Sequence, residues 1–425
     1  GAASLMMAHL NVPAYTGNQK KASSLSHTLV SDLLKDTLGF KGLIVTDALN
    51  MKGVAAQYEP GKVDLEALLA GNDVLLFAED VPKAISEIQK AIKRGEISMA
   101  EIEKRCHKIL KAKNWAGLNN WQSIGLKNLR SDLTKSRYYH LNDKLFEQAI
   151  TVLENKNNLL PIKNPGNEKM VAISFGKNPS VEFHTYLGLY DKVDTIHLSE
   201  IPDALGQKKL FDKISAYSTV ILSVHQQSAN PYRKFKVDAD ILQFAQALKP
   251  GKKVVMTVFA NPYALHNTVI PSQLDALVMA YQNDEGMQRA AAKLIFGGIA
   301  AKGKLPVTIS SVYPEGTGLE TNVSGLFNYV YPEELNLNHE ILNMIDTIVV
   351  NGLEEGAYPG CQVLVAKDGK VFYHKSFGYH TYDSLRPVKP TDLYDLASIT
   401  KIAATLPSLM KLTLEGKINL DLSLC

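Results

Sequence analysis

The chain has 425 residues, 45% hydrophobic and 21% charged, which is the balance of an ordinary globular protein and excludes disorder, collagen and a coiled-coil array. Its 46 Lys and Arg against 43 Asp and Glu leave a net charge of +3 with no block of like sign, so neither nucleic acid nor an anionic membrane surface is an expected partner. The length predicts about two to four domains.

In residues 1–120, Ser4–Leu10, Gly42–Thr46 and Asp73–Ala78 read as short buried strands. Between and after them lie helical patterns at Ser24–Leu38, Leu65–Ala70 and Val81–Arg94. Leu25, Leu29, Leu33, Leu34 and Leu38 fall on one face of the first. The alternation predicts parallel strands covered by helices. Three strands do not close a barrel, which takes about 250 residues, so this stretch reads as the C-terminal part of a TIM-type (β/α)8 barrel. The opening Gly1 lies inside an apolar run, and the natural start is expected upstream. Residues 121–144 read as a connecting segment.

Residues 145–312 alternate strands at Met170–Phe175, Val193–Leu198, Val220–Val224, Val254–Phe259 and Leu274–Tyr281 with helices at Leu205–Tyr217, Asp238–Leu248 and Glu285–Phe296. That predicts an α/β sandwich with a mostly parallel sheet. Residues 313–335, rich in Gly, Pro, Asn and Tyr, read as a linker. In residues 336–425 a helix at Ile341–Leu353 precedes a hairpin, Gln362–Ala366 and Val371–His374, turned by Asp368-Gly369. A last helix starts near Ser398, is interrupted at Pro407 and stops at Gly416. One hairpin and one helix bury no full core, so this reads as the truncated start of an α+β domain.

Cys106, Cys361 and Cys425 are isolated and odd in number, which supports neither a disulfide framework nor a zinc knuckle. There is no H-E-x-x-H, P-loop or G-x-G-x-x-G, so no metal or cofactor is expected. No apolar run reaches the ~18 residues of a membrane span.

Two places carry chemistry. Asp47 ends the strand Gly42–Thr46, at the rim where barrel enzymes hold their active sites. A carboxylate there can attack an anomeric carbon, or it can simply end the strand and cap the next helix. Ser398 and Lys401, three apart at the opening of a helix, share a face, and a lysine there can activate the serine for acyl transfer. Ser174/Lys177 and Ser408/Lys411 have the same spacing, so spacing alone selects nothing; Ser398 also reads as a plain helix cap.

The run Gly39-Phe40-Lys41-Gly42-Leu43-Ile44-Val45-Thr46-Asp47-Ala48-Leu49-Asn50-Met51 closely resembles the nucleophile strand of family 3 glycoside hydrolases, most of all the bacterial β-N-acetylglucosaminidase branch. Met6-Met7-Ala8-His9-Leu10-Asn11-Val12-Pro13 resembles the preceding strand. Ala149–Pro161 and Gly303–Thr308 resemble the entry to and exit from that family's C-terminal sandwich domain. The resemblance implies a carbohydrate substrate, Asp47 as nucleophile and His9 lining the sugar subsite. It also implies a general acid/base His on a Gly/Pro/His-rich loop ahead of Met6, which this chain lacks, so the chain alone is expected to be inactive. The polar loop from His225 to Arg233 is a weaker source of such a group. Pro359–Ala366 with the Asp368-Gly369 turn, then Tyr394-Asp395-Leu396-Ala397-Ser398-Ile399-Thr400-Lys401, closely resembles the start of class C β-lactamase and penicillin-binding-type serine hydrolases. That resemblance implies Ser398 as the acylated nucleophile, Lys401 as its base partner, and a periplasmic or cell-envelope location. The expected function is hydrolysis of terminal β-N-acetylglucosaminides, with a β-glucosidase, a β-xylosidase or a serine acyl hydrolase as alternatives.

Overall fold

The computed structural model describes residues 2–17, 21–163, 166–176, 181–226, 230, 232, 240–248, 251–266 and 274–422. The chain divides into two compact units, Gly1–Lys127 and Asn128–Cys425.

In the first unit β1 (Ser4–Met7) and β2 (Leu43–Thr46) pair in parallel, from Ser4↔Leu43 to Met7↔Thr46. Gly42 permits this approach, because a Cβ there would lie 2.6 Å from Ala3 O. The expected third strand, Asp73–Ala78, contracts to one parallel bridge, Val45↔Val74. The cause is local. Leu76 N–H donates to Thr46 Oγ1 at 2.9 Å instead of to a carbonyl, and Phe77 turns left-handed at φ 54°. A segment that loses both its ladder bond and its extended backbone stops being a strand.

The helix expected over Ser24–Leu38 divides into a 3₁₀ turn at Ser23–Leu25 and a π-wound stretch at Thr28–Thr37. The wider turn brings Val30 into the core beside Leu29 and Leu34, and leaves Leu38 67% exposed. Then come α1 (Lys62–Ala70), α2 (Val81–Lys93) and α3 (Met99–Trp115). Asp80 caps α2 through Lys83 N–H, and Ser98 caps α3 through Glu101 N–H.

The second unit is built on a six-stranded sheet. Its strands are β3 (Thr151–Asn155), β4 (Met170–Phe175), β5 (Val193–Leu198), β6 (Thr219–His225), β7 (Lys253–Phe259) and β8 (Ala276–Met279). They lie in the order β3-β8-β7-β6-β4-β5, and β3 alone runs antiparallel, against β8. The chain is thus α/β with a mostly parallel sheet, as expected. β4, β6 and β8 are buried along their whole length, the mark of strands covered on both faces. Covering helices are α4 (Ser136–Ala149), α5 (Val181–Tyr190), α6 (Ala204–Lys213), α7 (Asp240–Ala247) and α8 (Glu285–Phe296).

Residues 313–335 carry structure of their own. Tyr313 is buried and donates to Glu154 Oε1 at 2.7 Å. β9 (Asn328–Tyr329) joins a three-stranded sheet with β10 (Gly360–Lys367) and β11 (Lys370–Gly378), lying parallel to β11. α9 (His339–Glu354) precedes the hairpin. Asp368 at φ 52° and Gly369 at φ 72° make its two-residue turn, the conformation that Asp-Gly favours. The last helical stretch runs as a 3₁₀ turn at Ala397–Ile399, a π turn at Lys401–Thr405 and α10 (Leu406–Leu414). Pro407 stands in the first turn of α10, where its missing N–H costs nothing.

Candidate active site

Asp47 comes directly after β2 and is half-buried. Its N–H donates to Met7 O at 2.9 Å, which ties it to the end of β1. Its Oδ1 accepts Ala48 N–H at 2.8 Å, and its Oδ2 has no hydrogen-bond partner among the described residues. The local chemistry is therefore a carboxylate with one oxygen oriented and the other available.

His9 lies beyond the end of β1, half-buried. Its Nε2 donates to Ala48 O at 3.0 Å, because a carbonyl only accepts, and its Nδ1 lies 2.6 Å from Ser24 Oγ. Ser24 is held in turn by Asn72, whose Nδ2 donates to Ser24 O at 2.8 Å and Ala67 O at 2.7 Å. The chain Asn72–Ser24–His9–Ala48 thus fixes the peptide beside Asp47. Asn72 and the buried Asp73 are participants that sequence reasoning missed. Asp73 Oδ2 accepts Ile44 N–H at 2.9 Å and Lys108 Nζ at 2.5 Å, and so pins the middle of β2. The Ala-Gly-Asn-Asp run after a helix, rich in turn formers, was the available signal.

In the sandwich, Ser174 on β4, Ser223 and His225 on β6, and His184 on α5 form a buried polar cluster. Ser174 Oγ lies 2.6 Å from His184 Nε2 and 2.7 Å from Ser223 Oγ, and Ser223 Oγ is 3.0 Å from His225 Nε2. His225 Nδ1 donates to Asn283 Oδ1 at 2.8 Å. Burial pushes both imidazoles down to about 4, with His197 adding to the effect on His184 and the Asn283 bond opposing it at His225. Of the His225–Arg233 loop, residues 227–229, 231 and 233 lie outside the described residues.

Ser398 and Lys401 come together, Lys401 Nζ donating to Ser398 Oγ at 3.0 Å with both side chains exposed. Asp395 Oδ1 accepts Ala397 N–H at 2.9 Å, and Ala397 is left-handed at φ 42°, strain of the kind that collects at functional turns. Ser408 differs: its hydroxyl donates to Ala404 O within its own helix. Lys177 lies outside the described residues.

Residues 1–112 match the glycosyl hydrolase family 3 N terminal domain, and residues 150–339 match the glycosyl hydrolase family 3 C-terminal domain. The chain belongs to glycoside hydrolase family 3. Residues 345–424 of this family 3 chain match the β-lactamase family. Protein flp of Staphylococcus aureus (strain NCTC 8325 / PS 47) is 40% identical over 85 residues, 20% of this chain and 17% of that protein. A β-N-acetylglucosaminidase/β-glucosidase of Cellulomonas fimi is 24% identical over 170 residues, 38% of this chain and 30% of that protein. The solved structure of a fungal multi-domain family 3 β-N-acetylglucosaminidase, described as having a GCN5-related glucosamine N-acetyltransferase region, is 27% identical with a TM-score of 0.54. That match covers 73% of this chain and 35% of that one. The family 3 chain therefore spans about a third or less of each of these relatives. Among the described residues, no helix is long and apolar enough to cross a membrane.

Proposed function

We propose that the protein hydrolyses terminal β-linked N-acetylglucosamine with retention, through a covalent glycosyl-enzyme on Asp47. The observation that carries this reading is the Asp47 carboxylate at the end of a parallel strand, half-exposed, with Oδ1 held by Ala48 N–H and Oδ2 unpartnered among the described residues. In the first step Asp47 Oδ2 bonds to the anomeric carbon while the glycosidic C–O bond breaks, and the leaving oxygen takes a proton from a general acid. In the second, the same group, now a base, deprotonates a water that attacks the anomeric carbon and releases the carboxylate. His9 is not that acid, because both its ring nitrogens are engaged; it positions the Asp47 peptide at the sugar subsite. The acid is assigned, by resemblance, to a His on a Gly/Pro/His-rich loop. The names of the Cellulomonas and fungal relatives support N-acetylglucosamine as the sugar, and the former also supports β-glucosides. The β-lactamase match supports a cell-wall source for the substrate.

The test is turnover of p-nitrophenyl β-N-acetylglucosaminide and β-glucoside by the full-length protein and its Asp47→Ala variant. The expected loss is roughly 10⁴-fold or more, the scale at which a covalent nucleophile is missed. Azide should restore part of the rate and yield the inverted glycosyl azide. Undiminished turnover overturns the assignment.

A second activity rests on the bond from Lys401 Nζ to Ser398 Oγ. Ser398 Oγ would bond to an acyl carbonyl carbon as its proton passes to Lys401 Nζ, the bond from that carbon to the departing amine or alcohol would break as this group takes the proton, and water would later cleave the acyl-serine ester to release the acid and restore the hydroxyl. Ser398→Ala should abolish nitrocefin or p-nitrophenyl ester hydrolysis and leave glycoside turnover intact; unchanged acyl hydrolysis removes this reading.

A further inference from the structure

We propose that residues 326–335 form a clasp that locks the β-lactamase-like region onto the sandwich, so that the two open as one body. The clasp is anchored at both ends. Toward the sandwich, Tyr329 OH donates to Leu189 O at 3.3 Å, and its ring meets that of Tyr190 edge-on at 5.6 Å. Toward the hairpin, Asn328 N–H donates to Gly369 O and Val330 N–H to Val371 O, which adds β9 to the edge of β11. The Tyr329 ring also meets His374 of β11, at 6.3 Å and 30°.

Charge repeats the pattern. Glu334 Oε2 pairs with Lys144 Nζ of α4 at 2.7 Å, and its Oε1 pairs with Lys370 Nζ of β11 at 2.6 Å. Lys144 continues to Glu147 at 2.9 Å, and Glu147 to Lys293 of α8 at 2.9 Å. The result is an alternating series, Lys293, Glu147, Lys144, Glu334 and Lys370, that begins in the sandwich core and ends in the hairpin. Lys293, Glu147 and Glu334 are nearly dry, with side-chain exposures of 3%, 7% and 11%, and Lys144 and Lys370, which flank Glu334, are half-buried. Next to it, Glu333 Oε1 accepts the hydroxyl of Ser136 at the start of α4. One carboxylate shared by two lysines from different bodies couples them, because losing either lysine leaves Glu334 half-paired in a poorly hydrated place.

Chymotrypsin cleavage of the native chain after Tyr329 reads the clasp directly. Lys144→Met removes the sandwich end and Lys370→Met the hairpin end, each keeping an aliphatic stem. Each should speed cleavage about tenfold, the ratio given by 1.4 kcal/mol of lost protection. The double variant should add little, because either loss opens the same contact. Lys375→Met, on the same hairpin but paired with Asp346, should leave the rate unchanged. Glu334→Gln should match the single variants, and if it does not fold, the lysine variants decide alone. Wild-type cleavage rates in either lysine variant, multiplying effects in the double variant, or an equal rise in Lys375→Met would overturn the clasp.

Discussion

His9 joins three segments through one ring: it lies just past β1, donates to Ala48 O and meets Ser24 Oγ. His9→Ala leaves a carbonyl and a hydroxyl without that partner, and we expect a loss of about 1–3 kcal/mol. The measurement is the urea midpoint, which should fall at constant m-value. His9→Gln should recover part of the loss, and an unchanged midpoint in His9→Ala would show that the ring bears no such role. The place of Asp47 at the end of a strand was legible from the sequence because an apolar β-prone run, Leu43–Thr46, ends directly before it. The partners of His9 were not. One bond spans 39 residues and goes to a backbone oxygen, which no pattern of side chains announces. Asn72 was hidden for the same reason, its two bonds both ending on carbonyls.

Among the elements, the hairpin was legible to within a few residues because Asp-Gly dictates its turn, and β4, β6, β7 and β8 because largely apolar runs mark strands covered on both faces, while the edge strand β5 showed itself through Ile196 and Leu198 alternating with Thr195 and His197. α5 escaped: Val181–Tyr190 carries Gly188 and a β-branched and aromatic series that favours strands. β3 escaped because only Thr151, Val152 and Leu153 of its five residues are fully buried, too short a run to declare itself. The segment 73–78 shows the opposite error, an apolar run with strand composition that one hydroxyl diverts. Thr46→Val keeps the shape but strands the Leu76 N–H, which Thr46 Oγ1 now accepts at 2.9 Å. We expect about 1–3 kcal/mol of destabilisation and faster hydrogen exchange at the Leu76 amide. Unaltered exchange there would mean that water or a backbone carbonyl replaces the hydroxyl, and the account of the shortened strand would fail.

For the whole molecule, the buried imidazoles of His184 and His225 set an acid limit. Their folded values, about 4, lie below the ordinary 6.5, so the unfolded chain binds more protons between those two values. The stability they contribute is complete above about pH 6.5, falls as pH drops toward about 4, and is level below that. The paired carboxylates of Glu334 and Asp346 are held below the ordinary range; burial opposes this at Glu334, where the bonds from Lys144 and Lys370 prevail, while Lys375 and Tyr373 act at Asp346. Their loss starts only below the ordinary carboxylate values, near 4.5 for Glu334 and 3.8 for Asp346. Urea midpoints tracked by circular dichroism should therefore drop between pH 6.5 and 4.5, and the His184→Gln, His225→Gln double variant should flatten that drop. A wild-type curve that is already flat would mean that these rings are not buried neutral.

The antiparallel seam of the large sheet has a consequence for biosynthesis. Within the large sheet β3 pairs with β8, roughly 120 residues later, and its Val152 also bridges to Leu319 farther along the chain. At about 5–20 residues per second, Thr151–Asn155 waits some 6–24 s after translation before its mate emerges. For that interval Val152 and Leu153, buried in the finished sheet, stay without their β8 partners on the ribosome.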